Sequence, residues 1–421
     1  MEVRNVSSGI YNFKGVLSMM IAWFHILTRN KKMILQRSVL YLIKCKQGCK
    51  SVVKNLQQRL KRFQACIICR FVGILALLLL AGVTHAAAPT PTDIVSSVDN
   101  NKQAATVVKL LARASLQLTR TPQPMVRLHT EGTIPHQGIY DQSVSAARDF
   151  PLMRDAALAW RLSGDRRYAE QVDAFLRDWT AVYVPSYNPI DETKFDAFIE
   201  AYRLTQNALS PETRKAAQAF LRTLAEGYIE RSKTHSDGRK SAQSATWVNN
   251  WQSHRIKIMA LSAAALEDRV LMDEVHKLFL QQIAANVGLD GSVKDFADRD
   301  ALHYVVYDLE PLTLAALAAQ TFGDDWLHDK ASNGASLADA IEWLLPYANG
   351  TKTHEEFVHT HVVFDKKRAD AGVPGFSGQW NPKSAKTLFW QAAQLDFSYR
   401  PLAEKLLPTE PDWLVFWGLH D

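Results

Sequence analysis

From about residue 100 onward, apolar residues recur at the three-and-four spacing of an α-helix in segment after segment, while strand-like alternation is almost absent. A chain of this kind can bury its apolar faces only by packing helix on helix. Lys102–Leu118 sets Val107, Leu110, Leu111 and Leu116 on one stripe, and Ala147–Leu162 with Tyr168–Tyr183 forms a hairpin broken at Ser163-Gly164-Asp165. Phe195–Gln206 follows, and Ser210-Pro211 opens the next helix with a capping serine and a proline at its first position. Trp247–Leu266, Val270–Val287, Ala301–Gln320 and Leu337–Leu345 continue the series; Glu356–Phe364 is the best strand candidate, and it is short. Hairpins at roughly 40-to-50-residue intervals without sequence repetition indicate an all-α fold, an α/α toroid, with a cleft at one end built from the loops between hairpins.

The first 88 residues read differently. Phe71–Val83 is an unbroken apolar run preceded by Lys61, Arg62 and Arg70 and followed by Thr84-His85-Ala86-Ala87-Ala88. A positive flank, a short apolar core and small residues at the exit make a signal peptide over 61–88, cleaved near Ala86 to Ala88, because the core is shorter than the about 20 residues a bilayer span needs. Residues 1–60 are a basic extension that reads as an over-extended start, with Met33 an alternative initiator; a membrane-anchored cytoplasmic arm is the competing reading. The expected mature protein, 89–421, is one toroid domain, periplasmic or secreted and not inserted in the membrane.

Charge divides at the same place. Residues 1–88 hold 14 Lys/Arg and one acidic residue, leaving 35 basic and 42 acidic residues in the remainder, a net charge of −7. An acidic mature chain argues against nucleic-acid binding, so an anionic ligand must be met by a local basic cluster. Cys45, Cys49, Cys66 and Cys69 all lie in the part expected to be removed, which excludes disulfide and thiol chemistry from the mature protein.

Two segments carry the chemistry. In Thr246-Trp247-Val248-Asn249-Asn250-Trp251-Gln252-Ser253-His254-Arg255, Asn250 and His254 are four apart and share a helix face, with Trp247 and Trp251 a turn away. Adjacent asparagines suit a helix interior poorly, so either their amides have a task or a helix starts there. In Asp290-Gly291-Ser292 through Leu309-Glu310-Pro311-Leu312, a glycine-containing loop leads into a helix bearing Arg299, His303, Tyr304 and Tyr307. A surface ion-paired helix start is the bland alternative. His354, His359 and His361 cluster with Glu355 and Glu356, but without a third ligand at a recognised spacing no metal is expected. No cofactor motif is present.

The Asn249-Asn250-Trp251 helix, the Asp290-Gly291-Ser292 loop, Arg299 with Tyr304, and Leu309-Glu310-Pro311-Leu312 together resemble the alginate lyase family of polysaccharide lyases. So do Asn188-Pro189-Ile190-Asp191-Glu192-Thr193 and Trp380-Asn381-Pro382; the likeness spans about 140–400. The resemblance implies an incomplete (α/α) toroid of helical hairpins, an anionic polysaccharide as substrate, and Asn, His, Arg and Tyr as machinery. By position Asn250 neutralises the substrate carboxylate and Tyr304 transfers the proton. The family's histidine beside the asparagine pair is Trp251 here, so His254 takes its role from the next turn. Its arginine seven before the tyrosine is Ala297, so Arg299 serves from five before. Its lid Lys-Tyr pair is Ile139-Tyr140. Asn249, Trp247, Trp251, His303, Tyr307 and Tyr140 are the expected substrate contacts.

The chemistry fits these residue types. Removing the C5 proton of a uronate adds negative charge to a carboxylate, which the Asn250 amide, His254 and Arg299 offset. A tyrosine base, ordinarily near pKa 10, needs an adjacent cation to lower it. The competing enzyme is an inverting glycoside hydrolase, for which Asp191, Glu192, Asp295, Asp298 and Glu310 are available without a marked pair; a non-catalytic polysaccharide-binding protein is the third reading.

Overall fold

The computed structural model describes residues 101–235, 244–415 and 417, all within the unit Ala87–Asp421. The signal peptide, the basic extension and the four cysteines lie outside the described residues. Helices α1 (Asn101–Ser115), α2 (Tyr140–Ala146), α3 (Asp149–Ser163), α4 (Arg166–Val182), α5 (Phe195–Thr205) and α6 (Pro211–Thr234) are followed by α7 (Asn250–Ala265), α8 (Arg269–Asn286), α9 (Lys294–Arg299), α10 (Leu302–Gln320) and α11 (Leu337–Ala348). Helices α12 (Val363–Asp370), α13 (Lys386–Leu395), α14 (Arg400–Leu406) and α15 (Asp412–Val415) complete the order.

Packing separates an inner from an outer series. Helices α1, α3, α5, α7, α10 and α13 pack each against the next, while α4, α6 and α8 pack on their outer sides. This is the α/α toroid expected from the periodicity. Two of the inner helices are enclosed on nearly all sides: every residue of α7 except Trp251 is buried, as are most of α10. Outer α4 keeps one apolar stripe, Tyr168, Val172, Phe175, Leu176 and Trp179, facing inward.

Local signals place the ends. Ser210 caps α6, its hydroxyl accepting from the Thr213 N–H with Pro211 inside, as expected. The helix expected over Trp247–Leu266 begins later. Ser244–Trp247 is a 3-10 turn, and Asn249 is the cap of α7, its Oδ1 accepting from the Trp251 N–H at 3.1 Å. The strand expected over Glu356–Phe364 is a turn followed by α12. Its backbone donors go elsewhere than to a sheet: Phe357 N to the Asp300 carbonyl (2.8 Å), Glu356 N to Gly378 (2.9 Å) and His361 N to Asp298 (3.3 Å). Among the described residues no helix is long and apolar enough to cross a membrane.

Candidate active site

The N-terminal ends of α7 and α10 meet beside α9 at the toroid's loop end. Gly291, at φ +86°, turns the Asp290-Gly291-Ser292 loop against the Asp339 carbonyl, which an added Cβ would meet at 2.4 Å. The chain then enters α9, placing buried Asp295 under the start of α7. There the Asn250 N–H donates to Asp295 Oδ2 at 2.7 Å and the Asn250 amide to Oδ1 at 2.8 Å. The asparagine pair is therefore both a helix start and a fixed amide. Asn249 makes the cap, and Asn250 keeps its second amide hydrogen for the cleft it lines.

Asp300, left-handed at φ 49°, ends α9 and reverses the chain into α10. The cap of α10 is Ala301, which has no acceptor, so the role falls to a distant side chain: Glu356 accepts from Leu302 N at 2.8 Å and His303 N at 3.0 Å. The first two turns of α10 then present His303, Tyr304 and Tyr307 to a cleft of about 420 Å³. Asn250, Trp251, Arg299 and Tyr140 share it, with Thr130–Pro135, Ile190, Phe364, Arg368, Val373 and Phe376.

Tyr304 is 6% exposed. Its oxygen accepts from Arg368 Nη1 at 2.6 Å, and the Arg299 guanidinium lies 3.8 Å above its ring. Burial holds the phenol above its ordinary pKa, with Arg299 and Arg368 pulling it down against that and Asp365 and Asp295 adding to the rise. The expected cation is present, and there are two, yet in the free protein burial prevails and Tyr304 is a protonated phenol. The His303 imidazole, pushed down to about 4 by burial and the same two arginines, is neutral.

Three expected site residues lie elsewhere. His254 is on the same face as Asn250 but buried behind Tyr307, ring centroids 4.4 Å apart, and does not line the cleft. Lys257 donates to Thr193 Oγ1 (3.1 Å), which in turn meets His254 Nδ1 at 2.9 Å. This order assigns the hydroxyl hydrogen to Nδ1 and the ring proton to Nε2. The Tyr307 carbonyl, deprived of its helical donor by Pro311, acts on the imidazole, but Nε2 makes no hydrogen bond of full geometry. Burial and Lys257 hold His254 well below its ordinary pKa. It is a neutral support for Tyr307, not a cation at the cleft. Asn249 is consumed by its cap. Trp247 is buried under Arg255, whose guanidinium stacks on it at 3.7 Å while donating to the Thr246 carbonyl.

Of the carboxylates considered for hydrolysis, Asp191, Glu192 and Asp295 are committed to structure, Asp298 pairs with Lys294 at 3.0 Å, and Glu310, pushed up to about 7 by burial, does not line the cleft. Asp191 accepts from Thr130 N (2.6 Å), Glu131 N (2.8 Å) and faces His129 Nδ1 (3.1 Å), fixing the cleft-wall loop. Glu192 takes the hydroxyls of Tyr183 (2.7 Å) and Tyr228 (2.5 Å). Of the cleft-lining residues Glu131 alone is a carboxylate. His354 Nε2 meets the Asp300 carbonyl at 2.9 Å, and among the described residues no three His, Cys, Asp or Glu gather as metal ligands.

Sequence reasoning missed Arg368. It lies 64 residues beyond Tyr304, on α12, in a stretch with no periodic signal.

Several solved structures are similar to this chain, and the first of them shares its fold. An alginate lyase from Bacteroides ovatus is 17% identical, with 79% of this chain and 97% of that chain covered and a TM-score of 0.56. Alginate lyase A1-III from Sphingomonas species A1 is 18% identical over 63% of this chain and 80% of that one, TM-score 0.43. A variant of alginate lyase A1-III complexed with a tetrasaccharide is 18% identical over 72% and 84%, TM-score 0.47. No curated protein matches the sequence. The alginate lyase family model matches residues 93–354, more than half of the chain. With that match over the residues that build the cleft from Thr130 to Tyr307, the chain belongs to the alginate lyase family and is a polysaccharide lyase.

Proposed function

We propose that this lyase cleaves a uronic-acid polymer, alginate or polymannuronate or a glucuronate-containing chain, by β-elimination, leaving 4,5-unsaturated uronate ends. The observation that carries the reading is the Tyr304 oxygen, bonded by Arg368 at 2.6 Å with Arg299 over its ring, in a cleft lined by one carboxylate. A hydrolase would need two carboxylic groups on either side of the glycosidic bond. A uronate bound here meets the Asn250 amide and the two guanidiniums. Its C5–H becomes acidic once these donors take up the charge that builds on the carboxylate.

Tyr304 first gives its proton to solvent, becoming a phenolate beside the two guanidiniums; it then takes the C5 proton, and the C4–O bond breaks as the C4–C5 double bond forms. The phenol returns that proton to the departing C4 oxygen, regenerating phenolate, so one group serves as base and acid. This needs C5–H and O4 on one ring face, as in mannuronate and glucuronate. Trp251 and Tyr140 offer flat faces to neighbouring sugars.

The test is a panel of polymannuronate, polyguluronate, glucuronan and hyaluronan read by ultraviolet absorbance. Absorbance from the new double bond on at least one polymer is expected. New reducing ends without absorbance would mean hydrolysis, and binding without cleavage would mean a recognition protein; either refutes the proposal.

We further propose that the enzyme works in the periplasm or outside the cell, after loss of residues 1–86. The apolar run Phe71–Val83, its basic flank and the charge break beside it support this. N-terminal sequencing of exported protein should find a start near Ala87, and a start before Phe71 would refute it.

A further inference from the structure

Below Tyr304 the charged groups form an unbroken alternating series. Asp295, on α9, holds Asn250 and faces Arg299 Nε at 3.4 Å; Arg299 Nη1 donates to Asp365 Oδ1 at 2.5 Å; Asp365 lies 4.0 Å from Arg368 Nη1, which donates to Tyr304. Asp365 has no exposed side-chain surface, and its other oxygen accepts from Thr360 Oγ1 at 3.0 Å. It sits in the first turn of α12, one turn before Arg368. A buried carboxylate is retained at a cost in solvation that only close cationic partners offset, and here both partners are the arginines that touch Tyr304.

We infer that Asp365 is a positioning residue for Tyr304. Its carboxylate ties α12 to α9, which clamps Arg299 over the phenol ring and sets Arg368 at the phenol oxygen. Without it, two guanidiniums on different elements would have no common anchor, and either could swing into the cleft or to solvent. The inference rests on the proposed role of Tyr304 for its effect on turnover, but its structural core does not.

The two ways Asp365 could act on Tyr304 have opposite signs. As a bare negative charge it disfavours phenolate, so its removal alone would lower the Tyr304 pKa. As an anchor it keeps two cations in contact, so its removal would raise that pKa by releasing them. The other groups facing the phenol are His303 and Tyr307 on α10, Asp295 and Arg299 on α9 and Arg368 on α12, and all stay unchanged in the test. The experiment is Asp365→Ala in the whole protein, with the Tyr304 titration followed by carbon NMR of labelled tyrosine, the resonance assigned by its absence in Tyr304→Phe. The expected result is an upward shift, with kcat on the best polymer down at least about tenfold and KM changed by a smaller factor. A downward or unmoved titration overturns the inference, whatever the activity. Thr360→Val leaves the charge in place and loosens the carboxylate, so it should shift the titration upward by less and lower kcat a few-fold. If Asp365→Ala does not fold, an unmoved titration and kcat in Thr360→Val overturns the inference instead. Absence of lyase activity in the wild type would refute the proposed reaction while leaving the titration to decide on Asp365.

Discussion

Arg368→Met isolates the contribution of the cation that sequence reasoning overlooked. Methionine keeps an unbranched apolar stem beside Phe364 and Phe376, over whose rings the guanidinium lies at 4.5 and 4.9 Å, and removes the charge and the 2.6 Å bond to Tyr304. A hydrogen bond to a charged group contributes about 1.5–3 kcal/mol net. That bond is stronger to the phenolate than to the phenol, so its loss raises the cost of forming phenolate from the resting phenol, and kcat near neutral pH falls with the phenolate fraction. At about 1.4 kcal/mol per decade, kcat should drop roughly 10- to 150-fold near neutral pH. The sign with pH follows: Arg368 pulls the Tyr304 pKa down, so its loss lets burial push the phenol higher still. Followed from about pH 7 to 11, the rising limb of kcat should move to higher pH, and the deficit should shrink only at the alkaline end, above the wild-type limb, as the variant's phenolate forms. The assay is initial-rate ultraviolet absorbance across that range. A variant with kcat within threefold of wild type and an unmoved limb would refute the assignment of Arg368 to the phenol.

Asn250→Ala should lower kcat by about 10²-fold, as loss of an oxyanion donor does, with the fold retained as judged by circular dichroism; near-normal turnover would show that the amide serves only Asp295. Asp308→Asn tests a buried carboxylate outside the cleft. Ser253 Oγ and the Asn286 amide both donate to Asp308 at 2.5 Å, and burial pushes it up to about 7. Because its folded pKa lies above the unfolded value, it adds stability at low pH that is lost as pH rises from about 4 to 7. The Asn variant should flatten the dependence of Tm on pH in that window, and an unchanged slope would contradict the assignment.

Most of the helical framework was legible because an α/α toroid writes its periodicity directly into the chain. The Ser210-Pro211 start and the Ser163-Gly164-Asp165 break needed no tertiary information. The register at Asn249-Asn250 did. A cap and an interior pair look alike in sequence, and what decides is Asp295, 45 residues on, accepting the Asn250 N–H. Sharing a face with Asn250 misplaced His254, because α7 is enclosed all round and only its first turn reaches the cleft. The segment after Tyr347 was hardest to read. Its turn at 355–359 and helix α12 are held by Asp300, Glu356 and Asp365, contacts between residues more than fifty apart, and such pairings leave no periodic trace. Arg368 was missed for that reason.

Tyr304→Phe tests the central claim most directly. The substitution removes one hydroxyl, keeps the ring under Arg299 and leaves the packing against Phe357 and Phe376 in place. Tm should therefore stay close to wild type and the polymer should still bind. Double-bond formation, read by ultraviolet absorbance on the polymer the wild type cleaves best, should be nearly abolished, because both proton transfers lose their carrier. A variant that keeps more than about a tenth of wild-type kcat, a loss under about 1.4 kcal/mol, would contradict the mechanism proposed for this cleft.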